Sequence, residues 1–488
     1  MNPIADHHRL LTRRALFSRA GTGIGTMALA SMLASDSRAA GSTTAASLGG
    51  LDSLPHFTPK VKRIIYLLQS GAPSQVDLFD YKPNLEKLRG QELPPSARGN
   101  QRLTTMTAGQ KQLQLLPAIA PFRQYGKSGM WLSEMLPHTG SIADEICLIN
   151  SMHTGAINHA PAVTFLFTGS EMPGRPSMGA WLSYGLGSAS RDLPSFVAMT
   201  SVDREGTCGQ LFFEWYWGSG FLPTKHQGVK FRSGGDPVMY ISNPTGLSRS
   251  LRRDLLNDVA KLNELKYAEV GDPEIQTRIS QYEMAYRMQT SVPDLVDLSK
   301  EPKHIIDMYG PEVHRRGSFA YNCLIARRLA ERGVQFIQLM HAGWDQHQNL
   351  PTQLIEQCRD TDQPAAALVK DLTQRGLMED TLVIYGGEFG RTVFCQGDMN
   401  NKQKHGRDHH PRNYSTWVAG AGIKPGTVYG QSDDFSYNVA ADGVHVHDFQ
   451  ATLLHLLGID HTKLTFRFQG RDYRLTDVHG EVVRGVLG

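Results

Sequence analysis

Cysteine is scarce in this 488-residue chain, with Cys147, Cys208, Cys323, Cys358 and Cys395 its only thiols. None belongs to a CxxC pair, and five over this length are too sparse for a disulfide framework. One or two bridges in an oxidising compartment, or buried free thiols, both fit that count. A surplus of charge is missing too. The formal net charge of +3 belongs to residues 1–39, which hold five Arg and two Asp and leave 45 basic and 45 acidic residues behind them. That even balance gives no support for a nucleic-acid partner, whose backbone rewards concentrated Lys and Arg. No stretch beyond the N-terminus is both long and apolar enough to cross a bilayer. Internal repeats and low-complexity tracts are absent outside the leader region.

What is present begins with that leader. Thr12, Arg13 and Arg14 open a basic stretch reaching Arg19, a charge-free run from Ala20 to Ser35 follows, and Ser37-Arg38-Ala39 supplies a small-residue cleavage site after Ala39. A positive segment, a short apolar segment and small residues describe a secretory peptide. The paired arginines point to the twin-arginine route, although Leu16 stands where that route prefers Phe. Residues 1–39 are therefore expected to be a signal peptide, 40–60 a flexible lead-in, and 61–488 the working domain of a periplasmic or extracellular protein.

Near-continuous apolar runs suit buried strands of a parallel sheet. Val61–Leu68, Ile146–Ile149, Phe196–Met199, Gln335–Leu339, Thr381–Tyr385 and Ser415–Ala419 are such runs. Helical segments stand between several of them, clearest over Phe319–Glu331 and Pro364–Gln374. This alternation predicts an α/β fold, an αβα sandwich with a largely parallel central sheet. Leu247, Leu251, Leu255, Val259, Leu262 and Leu265 recur at helical spacing, and predict packing of an inserted helical segment at about 246–292.

Ligands gather at the carboxyl ends of strands in such sheets. His341, Asp345 and His347 follow the strand that ends near Met340, and an imidazole with a carboxylate suits Zn²⁺ or Mn²⁺, with Ca²⁺ or Mg²⁺ as alternatives. The plain reading is a Trp344-anchored loop whose His and Asp pair with each other. Glu388 and Arg391 follow the Thr381 strand in a glycine-rich turn. Glu388 can bind metal or act as a base, and Arg391 can hold anionic oxygens with its planar fork; a simple Glu388–Arg391 pair is the alternative. Arg407, His409 and His410 precede the next strand, where Arg407 suits an anion, one histidine suits a metal, and the other can orient a neighbour or protonate a leaving group. His447 is balanced between metal binding and packing, and Asp448 fits a helix N-cap. On the N-terminal side, His159 stands at a turn opening a helix, whose positive end favours an anion and a neutral imidazole. There it can be nucleophile, base or ligand, or merely cap the helix, with His153 as a weaker companion.

These motifs resemble the DUF1501 family, a set of exported bacterial proteins similar to sulfatases. The resemblance covers nearly all of the chain after the leader. It is carried by Ser70-Gly71-Ala72-Pro73-Ser74-Gln75-Val76-Asp77-Leu78-Phe79-Asp80, Tyr286-Arg287-Met288-Gln289-Thr290, Gly343-Trp344-Asp345-Gln346-His347 and Gly387-Glu388-Phe389-Gly390-Arg391-Thr392. It implies an alkaline-phosphatase-like sandwich and a metal-dependent hydrolase of phosphate or sulfate esters. Thr168-Gly169 lies nine residues after His159 with Pro161 in register, so the resemblance puts His159 at the nucleophile position of sulfatases and Val163 where they keep Arg. No carboxylate stands at Ser70 or Gly71, leaving Asp77 or Asp80 as distant substitutes for the usual acidic ligand.

One metal centre is thus expected at Asp345, His347 and one of His409 or His410, joined by Glu388 or His447. His159, Glu388, Arg391, Arg407 and His410 are the expected catalytic groups, acting on a small or polymeric anionic ester. The competing class is a binding or structural protein that kept the sandwich and lost catalysis.

Overall fold

The computed structural model describes residues 49–488 apart from 202–209, 233, 235, 240, 244 and 245. The expected signal peptide, the expected lead-in up to residue 48 and Cys208 lie outside the described residues. Nine strands form the central sheet: β1 (Arg63–Gln69), β2 (Ile146–His153), β3 (Phe196–Ser201), β4 (Val229–Phe231), β5 (Phe336–His341), β6 (Thr381–Gly386), β7 (Tyr414–Gly420), β8 (Thr427–Tyr429) and β9 (Val444–His445). Their order is β8-β2-β7-β6-β1-β5-β3-β4, with β9 also beside β2. All neighbouring pairs are parallel except those made by β7, which runs antiparallel to β2 and β6. Each of the six apolar runs overlaps one of these strands. The other three strands are too short to show in a hydropathy pattern.

Alternation along the central strand feeds two cores. Ile65 and Leu67 of β1 join one apolar cluster, while Ile64, Tyr66 and Leu68 join the other. The first is covered by α5 (Phe319–Glu331) and α6 (Leu350–Gln374), the second by α1 (His159–Thr168), α2 (Met178–Leu186) and α7 (Val446–Leu456). Helices on both faces of a mostly parallel sheet make the expected αβα sandwich. Helix α6 starts fourteen residues before the expected Pro364 and carries that proline inside it. A ring inside a helix costs about 3 kcal/mol, but buried Leu350, Leu354, Cys358, Leu368 and Leu372 on its inner face outweigh that.

Between β4 and α5 stand α3 (Arg249–Val270) and α4 (Pro273–Val296), joined across Gly271 at φ +70°. Met288, Val292 and Leu295 of α4 enter the first core. The packing expected of the α3 stripe does not occur: Leu251, Leu255, Val259, Leu262 and Leu265 are 48%, 48%, 38%, 66% and 70% exposed. Leu256 and Ala260, on another face of α3, are only half-buried, and Arg253 clasps Glu283 of α4. No described helix is long and apolar enough to cross a membrane. Cys147, Cys323, Cys358 and Cys395 are buried free thiols, so no bridge forms among the described cysteines.

Candidate metal centre

Strand register decides which side chains meet. Gln69 of β1 and Ser201 of β3 both lie opposite His341 of β5, and Leu68 lies opposite Gly386 of β6. The loops leaving β1, β5 and β6 therefore emerge together. Because β7 is antiparallel, the segment entering it arrives at the same edge, and this segment carries His409. Strand β2 ends there too, and α1 follows with His159 in its first turn. The β1 and β5 loops touch at Gly71, whose φ is +102° and where a Cβ would stand 2.5 Å from the Asp345 backbone nitrogen. Only glycine allows that approach.

Asp345 Oδ1 is the focus. It lies 3.2 Å from His159 Nε2, 2.8 Å from His347 Nε2 and 3.3 Å from His409 Nε2. His347 and His409 present their Nε2 atoms to each other at 3.1 Å. Each ring has its other nitrogen against an acceptor: His159 Nδ1 meets Glu388 Oε1 at 2.5 Å, His347 Nδ1 meets Gln396 Oε1 at 2.7 Å, and His409 Nδ1 meets the Ile157 carbonyl at 2.8 Å. These acceptors put the protons of neutral rings on Nδ1 and aim three Nε2 lone pairs inward. Consistent with that, His159 Nε2 is buried without a hydrogen-bond partner. Lone pairs facing each other repel unless a cation sits among them. Ligands about 2.0–2.1 Å from a tetrahedral ion stand about 3.3 Å apart, close to the 2.8–3.3 Å that separates Asp345 Oδ1 from the three Nε2 atoms. The ligand atoms of His159, Asp345 and His409 all lie within 4.8 Å of one another, and His347 Nε2 closes on Asp345 and His409 from the other side.

The protonation balance is set by burial against these contacts. Burial disfavours ionised Asp345, but Arg391 and the three histidines hold its carboxyl well below the ordinary range. Burial pulls His409 down to about 4. It also pulls on His159, yet Asp345 and Glu388 push that ring upward overall. The helix start was expected to keep His159 neutral; without a cation, the two carboxylates favour its charged form instead.

Several expected residues are elsewhere. Arg391 is 2% exposed and spends its guanidinium on Asp345 at 2.6 Å, the Ala72 carbonyl at 3.1 Å, the Arg407 carbonyl at 3.0 Å and the Gly71 carbonyl. Arg407 is fully buried, pairs with both oxygens of Asp77 at 2.7 and 2.9 Å, and donates to carbonyls of Thr392, Val393, Leu116 and Pro117. Arg407 has no donor left for an anion, Arg391 keeps at most one Nη1 hydrogen free, and Asp77 is consumed in the Arg407 pair. Asp80 accepts from Ser432 and faces Lys82, so it does not stand in for the missing ligand either. His410 stacks on Tyr437 with centroids 3.9 Å apart and donates Nε2–H to the Tyr437 carbonyl, pointing away from Asp345. Adjacent residues on a strand face opposite ways, which selects His409 and rejects His410. His447 bonds Gln450 at 3.1 Å and packs on Phe165 and His479, outside the cluster. The α7 cap is His445 and not the expected Asp448, which stands at the third helical position and completes a capping box. Glu388 is 1% exposed and reaches the cluster only through His159, while Gly71 N–H donates to its Oε1 at 3.0 Å. His153 lies beside His445 instead.

Two contributors had no sequence signal. Gln396 fixes His347, and Gln210 Nε2 donates to Asp345 Oδ2 at 3.0 Å. Neither amide belongs to a recognisable motif. Phe389, by contrast, lies in the Gly387–Thr392 motif, and its ring backs both His159 and His409 at 4.8 Å.

A parallel-rich αβα sandwich whose strand ends hold a His/His/Asp cluster able to take a metal ion defines the class of protein. Within it, the chain belongs to DUF1501, a protein family of unknown function whose model matches residues 61–487. No curated protein matches the chain. Among solved structures it is similar to the lipoteichoic acid synthase LtaP from Listeria monocytogenes, at 9% identity and a TM-score of 0.38 over 90% of this chain and 79% of that one. It is also similar to the PsFucS1 sulfatase from Pseudoalteromonas sp., at 14% identity and 0.35 over 82% and 68%. The alkaline phosphatase from the Antarctic bacterium TAB5 matches at 11% identity and 0.32 over 82% and 98%. Likeness this distant carries nothing about chemistry.

Proposed function

We propose that this chain is an exported metal-dependent hydrolase of phosphate or sulfate esters, with His159, Asp345, His347 and His409 as the ligands of one divalent ion. The observation behind this reading is the convergence of three Nε2 atoms on one carboxylate oxygen, each ring pinned through Nδ1. Pinned outer nitrogens are the usual companions of metal-bound histidines. The donor set of three imidazoles and a carboxylate suits Zn²⁺ or Mn²⁺ better than Ca²⁺ or Mg²⁺, which prefer oxygen ligands. Once bound, such an ion polarises an ester oxygen and lowers the pKa of a water.

The chain's own residues do the rest. Glu388, Gln396 and the Ile157 carbonyl hold the three rings in one tautomer, and Arg391 keeps Asp345 ionised. The His159 and His347 side chains are 12% and 17% exposed, more than Asp345 or His409, so a substrate approaches across these two rings. The first turn of α1 faces the same opening and offers its positive end to an anionic ester. At position 159 there is no hydroxyl or thiol, and the His159 lone pair is committed inward. A covalent intermediate at this position has no nucleophile, which favours direct hydrolysis. A noncatalytic binding protein is the second reading, favoured by the commitment of Arg391 and Arg407 to carbonyls and carboxylates.

Elemental analysis of purified protein reloaded with Zn²⁺ or Mn²⁺ is expected to find a single bound ion. A screen of aryl phosphates, phosphodiesters and sulfates with that protein then separates the readings. Turnover supports the hydrolase; bound metal with no turnover supports the binding protein; no bound metal sinks both forms of the proposal.

A further inference from the structure

The motif Tyr286-Arg287-Met288-Gln289-Thr290 has no part in the metal cluster. It lies on α4, beside a cavity of about 730 Å³ between that helix and the β3–β4 edge of the sheet. This volume falls in the range of small-molecule pockets, about 300–1,000 Å³. The cavity shares no lining residue with the cluster. Phe196, Val229, Val238, Ile241, Met284 and Met288 give it apolar walls, and thioether side chains adapt to irregular apolar guests.

We propose that this cavity is a second ligand site, which takes an amphipathic anion: an apolar chain of fatty-acid type ending in one negatively charged group. Arg287 supplies the recognition. Its side chain lines the cavity, and its Nε is buried with no hydrogen-bond partner. Glu283, the acid beside it in the lining, is bound to Arg253 at 3.1 Å and cannot neutralise it. A buried donor left unpaired is destabilising, more so when charged, and an anionic head group relieves that penalty through charge-assisted hydrogen bonds. Arg191 and Lys225, both exposed, add positive charge at the rim.

The wall is built in advance of any ligand. Gln289 Nε2 donates to the Ile241 carbonyl at 2.6 Å and to Asn243 Oδ1 at 2.7 Å, and Arg252 also holds Asn243 Oδ1 at 2.8 Å. Tyr286 is held under Arg253 and Arg249, whose guanidinium carbons lie 4.3 and 5.3 Å from its ring centre. The motif thus divides its work: Arg287 and Met288 face the cavity, while Gln289 and Tyr286 fix the elements that enclose it.

Calorimetric titration of the full chain with dodecanoate, below its micellar concentration, tests the site. Dodecyl phosphate, dodecanol and acetate serve as the comparison probes. Dodecanoate is expected to fill a single saturable site, and dodecanol and acetate to bind about tenfold or more weakly, because each lacks one half of the recognition. Tight binding of dodecyl phosphate alone would keep the site and assign its head group to phosphate. Arg287→Gln is expected to weaken the anion by about tenfold or more, and Arg287→Lys to retain most of the affinity. Met284→Trp blocks the cavity from the apolar wall and serves as the independent variant if Arg287→Gln does not fold. Equal affinity for dodecanol and dodecanoate, unsaturable uptake, or no change in either Arg287→Gln or Met284→Trp overturns the proposal.

Discussion

The sheet-edge cluster and the α3–α4 hairpin treat polar and apolar groups in opposite ways. At the sheet edge, charged side chains are buried and nearly every donor has an acceptor: Arg407 alone serves Asp77 and four carbonyls. On the hairpin, five large apolar side chains face water and a partly buried guanidinium nitrogen faces a cavity unpaired. Saturation marks groups that hold a structure together. Vacancy marks groups that have something left to bind. By that measure, the inward lone pairs of the cluster and the Arg287 Nε of the hairpin are open valences, one in each region.

The largest effect should come from breaking a closed pair. Arg407→Met leaves Asp77 charged and unpaired in the core, and should cost about 3–5 kcal/mol; denaturant unfolding of the purified variant measures it, and a loss under about 1 kcal/mol would mean the pair is not saturated as described. Next comes Asp345→Asn, which removes the focal oxygen. Metal affinity, followed by competition with a chelator, should fall by more than the about 10–100-fold typical of losing an outer partner. Retained affinity would show that the ion, if bound, sits elsewhere.

His226 offers a test by pH in the hairpin's own territory. It is 4% exposed, bonded to Ser183 at 3.1 Å, and burial beside Lys225 lowers its pKa to about 4. The folded state therefore resists a proton that the unfolded chain accepts near 6.5. Its contribution is intact above about pH 6.5 and lost as pH falls toward 4, on the order of 3 kcal/mol in all. In His226→Gln that part of the acid slope should disappear; an unchanged slope would falsify the assignment. Gln396→Ala is milder: His347 keeps its place but loses its orientation, and metal affinity should drop by about tenfold. Smallest of all, Leu262→Ser and Leu265→Ser should shift unfolding by less than about 0.5 kcal/mol. A larger loss would reveal that the stripe is covered in solution, erasing one side of the contrast.

These contrasts also explain what could be read from the residues alone. The strands were legible because parallel strands buried on both faces are apolar throughout, and Asp345, His347 and the pair His409-His410 stood out by their places beside strand ends, with the choice between the two histidines left to the strand's facing. His159 was found by register with Pro161 and Thr168-Gly169, although the geometry puts its ring among the inward-facing donors. Arg391 and Arg407 were misjudged because a sequence does not show whether a guanidinium meets a ligand or a ring of backbone carbonyls. The α3 stripe failed for a related reason: periodicity identifies a face but not what lies against it. Gln210 and Gln396 were invisible, since an amide acquires meaning only from the partner that the fold brings to it.

The antiparallel course of β7 bears on the order of events during synthesis. It brings His409 to a place prepared by residues 250 positions earlier, so a nascent chain stopped anywhere short of that histidine carries His159 and Asp345 with no centre for them to share. An ion held there would therefore join segments far apart in the chain, and its binding energy would count toward holding α1, the β5 loop and the segment entering β7 together.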